Sequence, residues 1–263
     1  NKIDKENPNG ILIIPADNPT GYQMSQDVII EIAKMCVDKN IWLISDEAYR
    51  NIYYTNNGPT SIWNISNKVV PGIKGRRISI ESVSKVWNAC GLRIGALVTD
   101  NQVMFNKVRS EYTANLCANV IGQYIFGAIT NLSRQEIVGW YKMQREYYSE
   151  IITDLVNGLE QELPGLIISK PKASIYIVLD FSSITPDDFN ISKFMEYTAK
   201  YGITTFNNKK YTLLLSSMDG FFSTKIPNNK LARIALVEPK DKMKVVPSLL
   251  SSLLNDYLLK TES

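Results

Sequence analysis

Ser82-Val83-Ser84-Lys85-Val86-Trp87-Asn88-Ala89-Cys90-Gly91-Leu92-Arg93 stands between two short runs of strand character. Arg77-Ile78-Ser79-Ile80-Glu81-Ser82 leads into it and Ile94-Gly95-Ala96-Leu97-Val98 follows it. A lysine therefore sits at a strand exit, in a turn of small hydroxyl residues. An arginine comes eight residues later, just before the next strand. Such a turn is also an ordinary place for a solvated lysine. Its chemistry suits an aldehyde cofactor that carries a phosphate: the amine forms a Schiff base, while hydroxyls and a planar guanidinium hold the anion.

Upstream, Ile11-Leu12-Ile13-Ile14 reads as a fully buried strand, apolar on both faces as in parallel sheets. It ends in a turn-rich loop, Pro15-Ala16-Asp17-Asn18-Pro19-Thr20-Gly21. Ser25 fits a helix N-cap, apolar residues follow at helical spacing from Val28 to Val37, and Asn40 closes the helix. Ile41-Trp42-Leu43-Ile44-Ser45 is a second buried strand, ending at Asp46-Glu47-Ala48-Tyr49. A longer polar connection then reaches Gly75 and the strand at Ile78. Strand, helix, strand with polar residues at the strand C-termini is the pattern of an open α/β sheet. Ligands bind there beyond the carboxyl ends of the strands, so the three polar loops are expected on one rim.

Downstream, helices are expected over Asn101–Ser110 and Glu111–Asn131. A long helix starts at Ser133, with Glu136 at the capping-box position, and runs to Leu163 before Pro164-Gly165. Shorter strands follow at Leu166–Ser169, Ile175–Phe181, Leu213–Ser216 and Arg233–Val237, with helices at Ser192–Tyr201 and Lys242–Leu259. The expected fold is α/β: a mostly parallel sheet flanked by helices, then a smaller α+β C-terminal domain. The boundary is placed in the long helix, giving domains 1–145 and 146–263. There are no repeats and no low-complexity segment.

Composition narrows the function. Across 263 residues, 44% hydrophobic and 21% charged residues are those of a globular protein. A net charge of +3 with scattered Lys and Arg does not imply nucleic acid. No apolar run approaches the roughly 20 residues that span a bilayer. Cys36, Cys90 and Cys117 form neither a CxxC pair nor a disulfide framework, so reduced thiols in the cytoplasm are expected. The absence of histidine excludes Ser-His and Cys-His triads and histidine-bearing zinc sites, and no metal site is expected. Any proton shuttle must be Lys, Asp, Glu, Tyr or Cys.

Asn18-Pro19-Thr20-Gly21, Asp46-Glu47-Ala48-Tyr49 and Ser82-Val83-Ser84-Lys85 with Arg93, in this order and on strand exits, resemble the fold-type I aminotransferases of the aspartate aminotransferase class. Those enzymes use pyridoxal 5′-phosphate. The resemblance implies that Lys85 forms the Schiff base and carries a proton to and from the substrate α-carbon. It implies that Asp46 pairs with the pyridine nitrogen, which a carboxylate keeps protonated. Tyr49 and Asn18 would bond the phenolic oxygen, and Ser82, Ser84 and Arg93 would hold the phosphate. The family's Asn-Pro bond is often cis, which the resemblance extends to Asn18-Pro19. Arg233, in Leu231-Ala232-Arg233-Ile234, resembles the small-domain arginine that grips the substrate α-carboxylate. On residues alone, Asp46 also suits a helix N-cap, Arg93 a surface ion pair and Arg233 an outward position on an edge strand. Ser174 and Ile175 depart from the family pattern at the Pro171–Tyr176 strand start and receive no role.

The resemblance further implies a homodimer acting on small-molecule amino acids and 2-oxo acids. Asn1 to Gly10 is polar, with no initiator Met and no signal-peptide pattern, before a strand follows at once. A large fragment lacking the family's N-terminal part is therefore expected. The same motifs serve a C–S β-lyase of this fold. A non-catalytic chain using the fold for association is a third reading.

Overall fold

A computed structural model of the chain describes residues 2–114, 118–224, 226 and 229–261. It divides into two units. One comprises residues 1–18, 22–144 and 172–174; the other comprises 19–21, 145–171 and 175–263.

The first unit contains α1 (Lys2–Glu6), β1 (Gly10–Ile13), α2 (Gln26–Asp38), β2 (Trp42–Asp46), β3 (Arg77–Ser82), α3 (Val83–Val86), β4 (Gly95–Thr99), α4 (Gln102–Ala114), α5 (Val120–Gly127) and the start of α6 (Arg134–Glu162). Its sheet has the order β1-β2-β3-β4. β1, β2 and β3 run parallel, with Ile13 opposite Ser45 and Asp46 opposite Ile80. β4 returns antiparallel to β3, pairing Gly95 with Ser82. Parallel neighbours need a crossover, which α2 supplies between β1 and β2. α2 starts where Ser25 Oγ accepts the Val28 N–H at 3.3 Å and stops at Asn40, which takes a left-handed φ of 56°. Its buried face of Ile29, Ala33 and Cys36 shares a core with Ile13, Leu43, Ile62, Ile65 and Ile73. Full burial of each such aliphatic side chain is worth about 1.5–3 kcal/mol. Burial pushes the Cys36 thiol up to about 11, against the opposing charge of Arg76. Cys90 is an exposed free thiol; Cys117 lies outside the described residues.

Two expectations for this unit need correction. β1 is not buried on both faces: Ile13 is 6% exposed but Leu12 is 57% exposed. β1 is an edge strand of this sheet, and α2 packs only on the Ile13 side. The single helix expected over Glu111–Asn131 is also absent. α4 extends to Ala114, a separate α5 begins at Val120, and a 3-10 turn covers Ala128–Asn131. A tertiary contact sets the start of α5: Asn119 Nδ2 donates to Leu92 O at 3.1 Å.

The second unit holds the rest of α6, then β5 (Ile167–Ile168), β6 (Tyr176–Asp180), α7 (Ile191–Lys200), β7 (Thr204–Phe206), β8 (Lys209–Tyr211), β9 (Ser216–Ser217), β10 (Leu231–Ala235), α8 (Lys240–Met243) and α9 (Val246–Thr261). Its antiparallel sheet has the order β5-β6-β10-β9. Phe181, Phe189, Phe194 and Tyr257 form one aromatic cluster in it, with centroids 5.3–6.4 Å apart. The capping box of α6 is formed: Glu136 N–H donates to Ser133 Oγ at 3.2 Å and Ser133 N–H donates to the Glu136 carboxylate at 2.7 Å.

In this unit the strand expected at Leu213–Ser216 shrinks to Ser216–Ser217, because β10 pairs only Ala232 and Arg233 with it. The helix expected over Lys242–Leu259 divides into α8 and α9. Pro247 lacks an N–H for a helix interior and sits in the first turn of α9. The β7–β8 hairpin was not anticipated. No helix among the described residues is long and apolar enough to cross a membrane.

Candidate active site

The parallel run β1-β2-β3 sets three strand ends side by side, and five of the expected residues follow from it. Asn18 lies beyond β1, and Asp46 is the last residue of β2. Tyr49 follows in the next turn. Ser82 ends β3, and Lys85 lies within α3. The Asp46 carboxylate accepts the Ala48 N–H at 3.1 Å, leaving acceptor capacity on both oxygens. Tyr49 is buried and Asn18 half-buried. The Asn18–Pro19 bond is trans, since no cis peptide bond occurs among the described residues. For an Xaa-Pro bond trans is the lower-energy isomer, by about 0.5–1 kcal/mol.

Ser82 Oγ accepts the Ser84 N–H at 3.1 Å and so caps the N-terminus of α3. Lys85 is half-buried. Among the described residues its ammonium makes no hydrogen bond and no ion pair. Because β4 is antiparallel, the chain re-enters the sheet beside the point where it left. Val83 N–H donates to Ile94 O at 3.2 Å, and Arg93 precedes that anchor by one residue. Arg93 is exposed, adopts φ 55°, and donates from Nη1 to Cys90 O at 2.9 Å. It forms no surface ion pair among the described residues.

A second cluster escaped the sequence reading. Glu47, with a fully buried side chain, accepts from Ser61 Oγ at 2.7 and 2.8 Å and from Ile62 N–H at 3.0 Å. It also accepts from Arg50 Nη1 at 2.6 Å. The same Arg50 nitrogen donates to Glu81 Oε1 at 3.0 Å, and Ser79 Oγ donates to that oxygen at 3.0 Å. Burial raises the Glu81 carboxyl above the usual glutamate range, although Arg50 and the Ser79 bond pull it down. Arg50 thus ties the Asp46–Tyr49 turn to the end of β3. The cluster lines a cleft of about 160 Å³ with Ser82, Trp87, Phe126 and Tyr141. Its sequence signal was an acidic pair, Asp46-Glu47, at a buried strand end with Arg50 three residues on.

Arg233 belongs to the second unit. It sits on β10, an interior strand, opposite Val178 and Ser216, so the edge-strand alternative does not apply. Its guanidinium lies over the rings of Tyr176 at 4.5 Å and Phe221 at 5.1 Å, and Nη2 donates to Ser216 Oγ at 3.2 Å.

The strand ends of this open α/β sheet thus carry a lysine, a carboxylate and hydroxyl groups. The profile of the aminotransferase class I and II family matches residues 1–219, and the chain belongs to that family. It is 28% identical over 199 residues to an aspartate aminotransferase of Pyrococcus horikoshii, covering 74% of this chain and 46% of the relative. It is 23% identical over 180 residues to the cystathionine beta-lyase PatB of Bacillus subtilis, covering 68% and 44%. The chain thus spans less than half the length of these relatives. Among solved structures it resembles LysN, the alpha-aminoadipate aminotransferase of Thermus thermophilus, which is complexed with N-(5′-phosphopyridoxyl)-L-leucine. The TM-score is 0.75 at 18% identity, over 94% of this chain and 59% of that one. The fold is therefore that of the aminotransferases.

Proposed function

We propose that this chain is the lysine-bearing portion of a pyridoxal 5′-phosphate-dependent aminotransferase, which moves an amino group between an amino acid and a 2-oxo acid. The observation that carries this reading is the Lys85 ammonium, without a protein partner among the described residues, on a rim shared with Asp46 and Ser82. The donor set fits each part of the cofactor. Lys85 supplies an amine for the aldehyde and Asp46 a carboxylate for the pyridine nitrogen. Ser82, Ser84 and Arg93 supply hydroxyls and a guanidinium for the phosphate, and Asn18 and Tyr49 supply donors for the phenolic oxygen.

When bound, the cofactor supplies an electron sink. The chain's residues do the rest. Lys85 Nζ takes the proton from the substrate α-carbon and returns it. Asp46 keeps the ring nitrogen charged. Arg233 holds the substrate α-carboxylate through its N–H edge. In this reading the intact enzyme is a cytoplasmic homodimer. A second reading, a C–S β-lyase, is supported by the similarity to cystathionine beta-lyase. Pyruvate and ammonia released from cystathionine without any 2-oxo acid acceptor would favour it.

The test is direct. The chain is mixed with pyridoxal 5′-phosphate, reduced with borohydride, digested and mapped by mass spectrometry. Pyridoxyl on Lys85, lost in Lys85→Ala, is expected. An adduct spread over many lysines, unchanged in Lys85→Ala, would sink the reading.

A further inference from the structure

We infer that Trp140 and Gln144, on α6, are positioning residues for Lys85; the inference rests on the role proposed for Lys85 above. α3 has four residues, too few to persist on its own hydrogen bonds, and within its turn Lys85 O accepts the Asn88 N–H at 3.2 Å. α6 adds side-chain donors to its last two carbonyls. Gln144 Nε2 donates to Lys85 O at 2.9 Å and Trp140 Nε1 donates to Val86 O at 2.8 Å. The second hydrogen of the Gln144 amide goes to Asn88 Oδ1 at 3.2 Å, and Asn88 holds the left-handed turn, φ 49°, that ends the segment. An amide nitrogen has two hydrogens, so Gln144 commits its whole donor capacity to the turn that carries Lys85.

Burial sharpens the point. Gln144 is 3% exposed, and among the described residues its Oε1 has no hydrogen-bond partner. An apolar side chain of the same shape would fill that space without stranding an acceptor. Packing alone therefore does not account for an amide here; its two donations do. Trp140 adds a third hold. Its ring lies parallel to that of Trp87, with centroids 6.1 Å apart and planes 6° apart, and Trp87 also meets Phe126 and Tyr141.

Trp140 and Gln144 are one helical turn apart, on one face of a 29-residue helix. They fix the backbone at Lys85 and Val86 to a single stiff element. A lysine side chain is a flexible four-carbon stem, so its backbone direction is the part of its aim that the fold can set in advance.

The experiment compares Trp140→Phe, which keeps the ring on Trp87 but loses the N–H, with Gln144→Met, which keeps volume but loses both donors. Each variant of the full chain is incubated with pyridoxal 5′-phosphate and cyanoborohydride. The labelling rate at Lys85 is followed by peptide mass spectrometry, with exposed Lys107 and Lys209 as internal references. Each change should slow Lys85 about fivefold, the weight of roughly one neutral hydrogen bond, and leave the reference lysines unchanged. Ile65→Val, a core change in the same unit, should lower the melting temperature without slowing Lys85. Wild-type labelling rates in both variants, or equal slowing by Ile65→Val, would overturn the inference. If Gln144→Met does not fold, Trp140→Phe decides alone. Absence of Lys85 preference in the unaltered chain is a different result: it removes the proposed function, and the inference with it.

Discussion

Glu81 keeps a carboxylate above the usual glutamate range although Arg50 lies 3.0 Å away, because burial outweighs that attraction. The folded chain therefore holds this proton more tightly than the unfolded chain does. The stabilising contribution of Glu81 is fully present below the ordinary glutamate pKa and is lost as pH rises through the raised value. Glu81→Gln removes the ionisation and keeps the shape. Its urea midpoint, measured relative to the parent chain, should rise as pH goes from about 4 to about 7. A flat or falling difference would show that Arg50 wins. Glu47 differs in having no exposed side-chain surface. Two contacts from the Ser61 hydroxyl, the Ile62 backbone N–H and Arg50 surround its carboxyl oxygens.

At the scale of elements, α5 docks closely on the turn that precedes Arg93. A Cβ on Gly122 would lie 2.6 Å from Leu92 O and 3.1 Å from Ile94 Cγ1. Alanine favours a helix by about 1 kcal/mol over glycine, but crowding a backbone oxygen costs about 1–3 kcal/mol, so the contact wins. Gly122→Ala should lower stability by about 1 kcal/mol in urea titration. A more stable variant would mean that α5 slides freely. This docking explains why Glu111–Asn131 was illegible as two helices: the break is set by Leu92, distant in sequence. The rim residues were legible because each follows a strand whose apolar run is local. The Arg50–Glu81 link spans 31 positions and left no local pattern. The β7–β8 hairpin did leave one, since Asn207-Asn208 both take left-handed φ, 47° and 59°, as a two-residue hairpin turn requires. The leucines at 213–215 pulled the strand assignment away from it.

For the whole chain, the first unit exposes much apolar surface. Leu97 and Phe105, 44% and 47% exposed, line a depression of about 660 Å³ bounded by β4, α4 and α5, and Ile121 and Tyr124 of α5 are 72% and 86% exposed. Patches of this kind mark interfaces or association-prone surface. The folded chain should enhance the fluorescence of a hydrophobic dye such as anilinonaphthalene sulfonate. Ile121→Lys with Tyr124→Lys should reduce that signal without lowering the melting temperature. An unaltered signal would place the dye elsewhere. The β3–β4 hairpin bears on descent as well as chemistry. Ser82 and Gly95 are paired in the sheet, so the arc between them has both feet anchored. Each doubling of such a loop costs only about 0.6 kcal/mol. Residues gained or lost between Asn88 and Gly91 would change the arc's length yet leave Lys85 beside one foot and Arg93 beside the other. In a lineage, then, that short stretch is where length can drift while the two anchored feet are inherited intact.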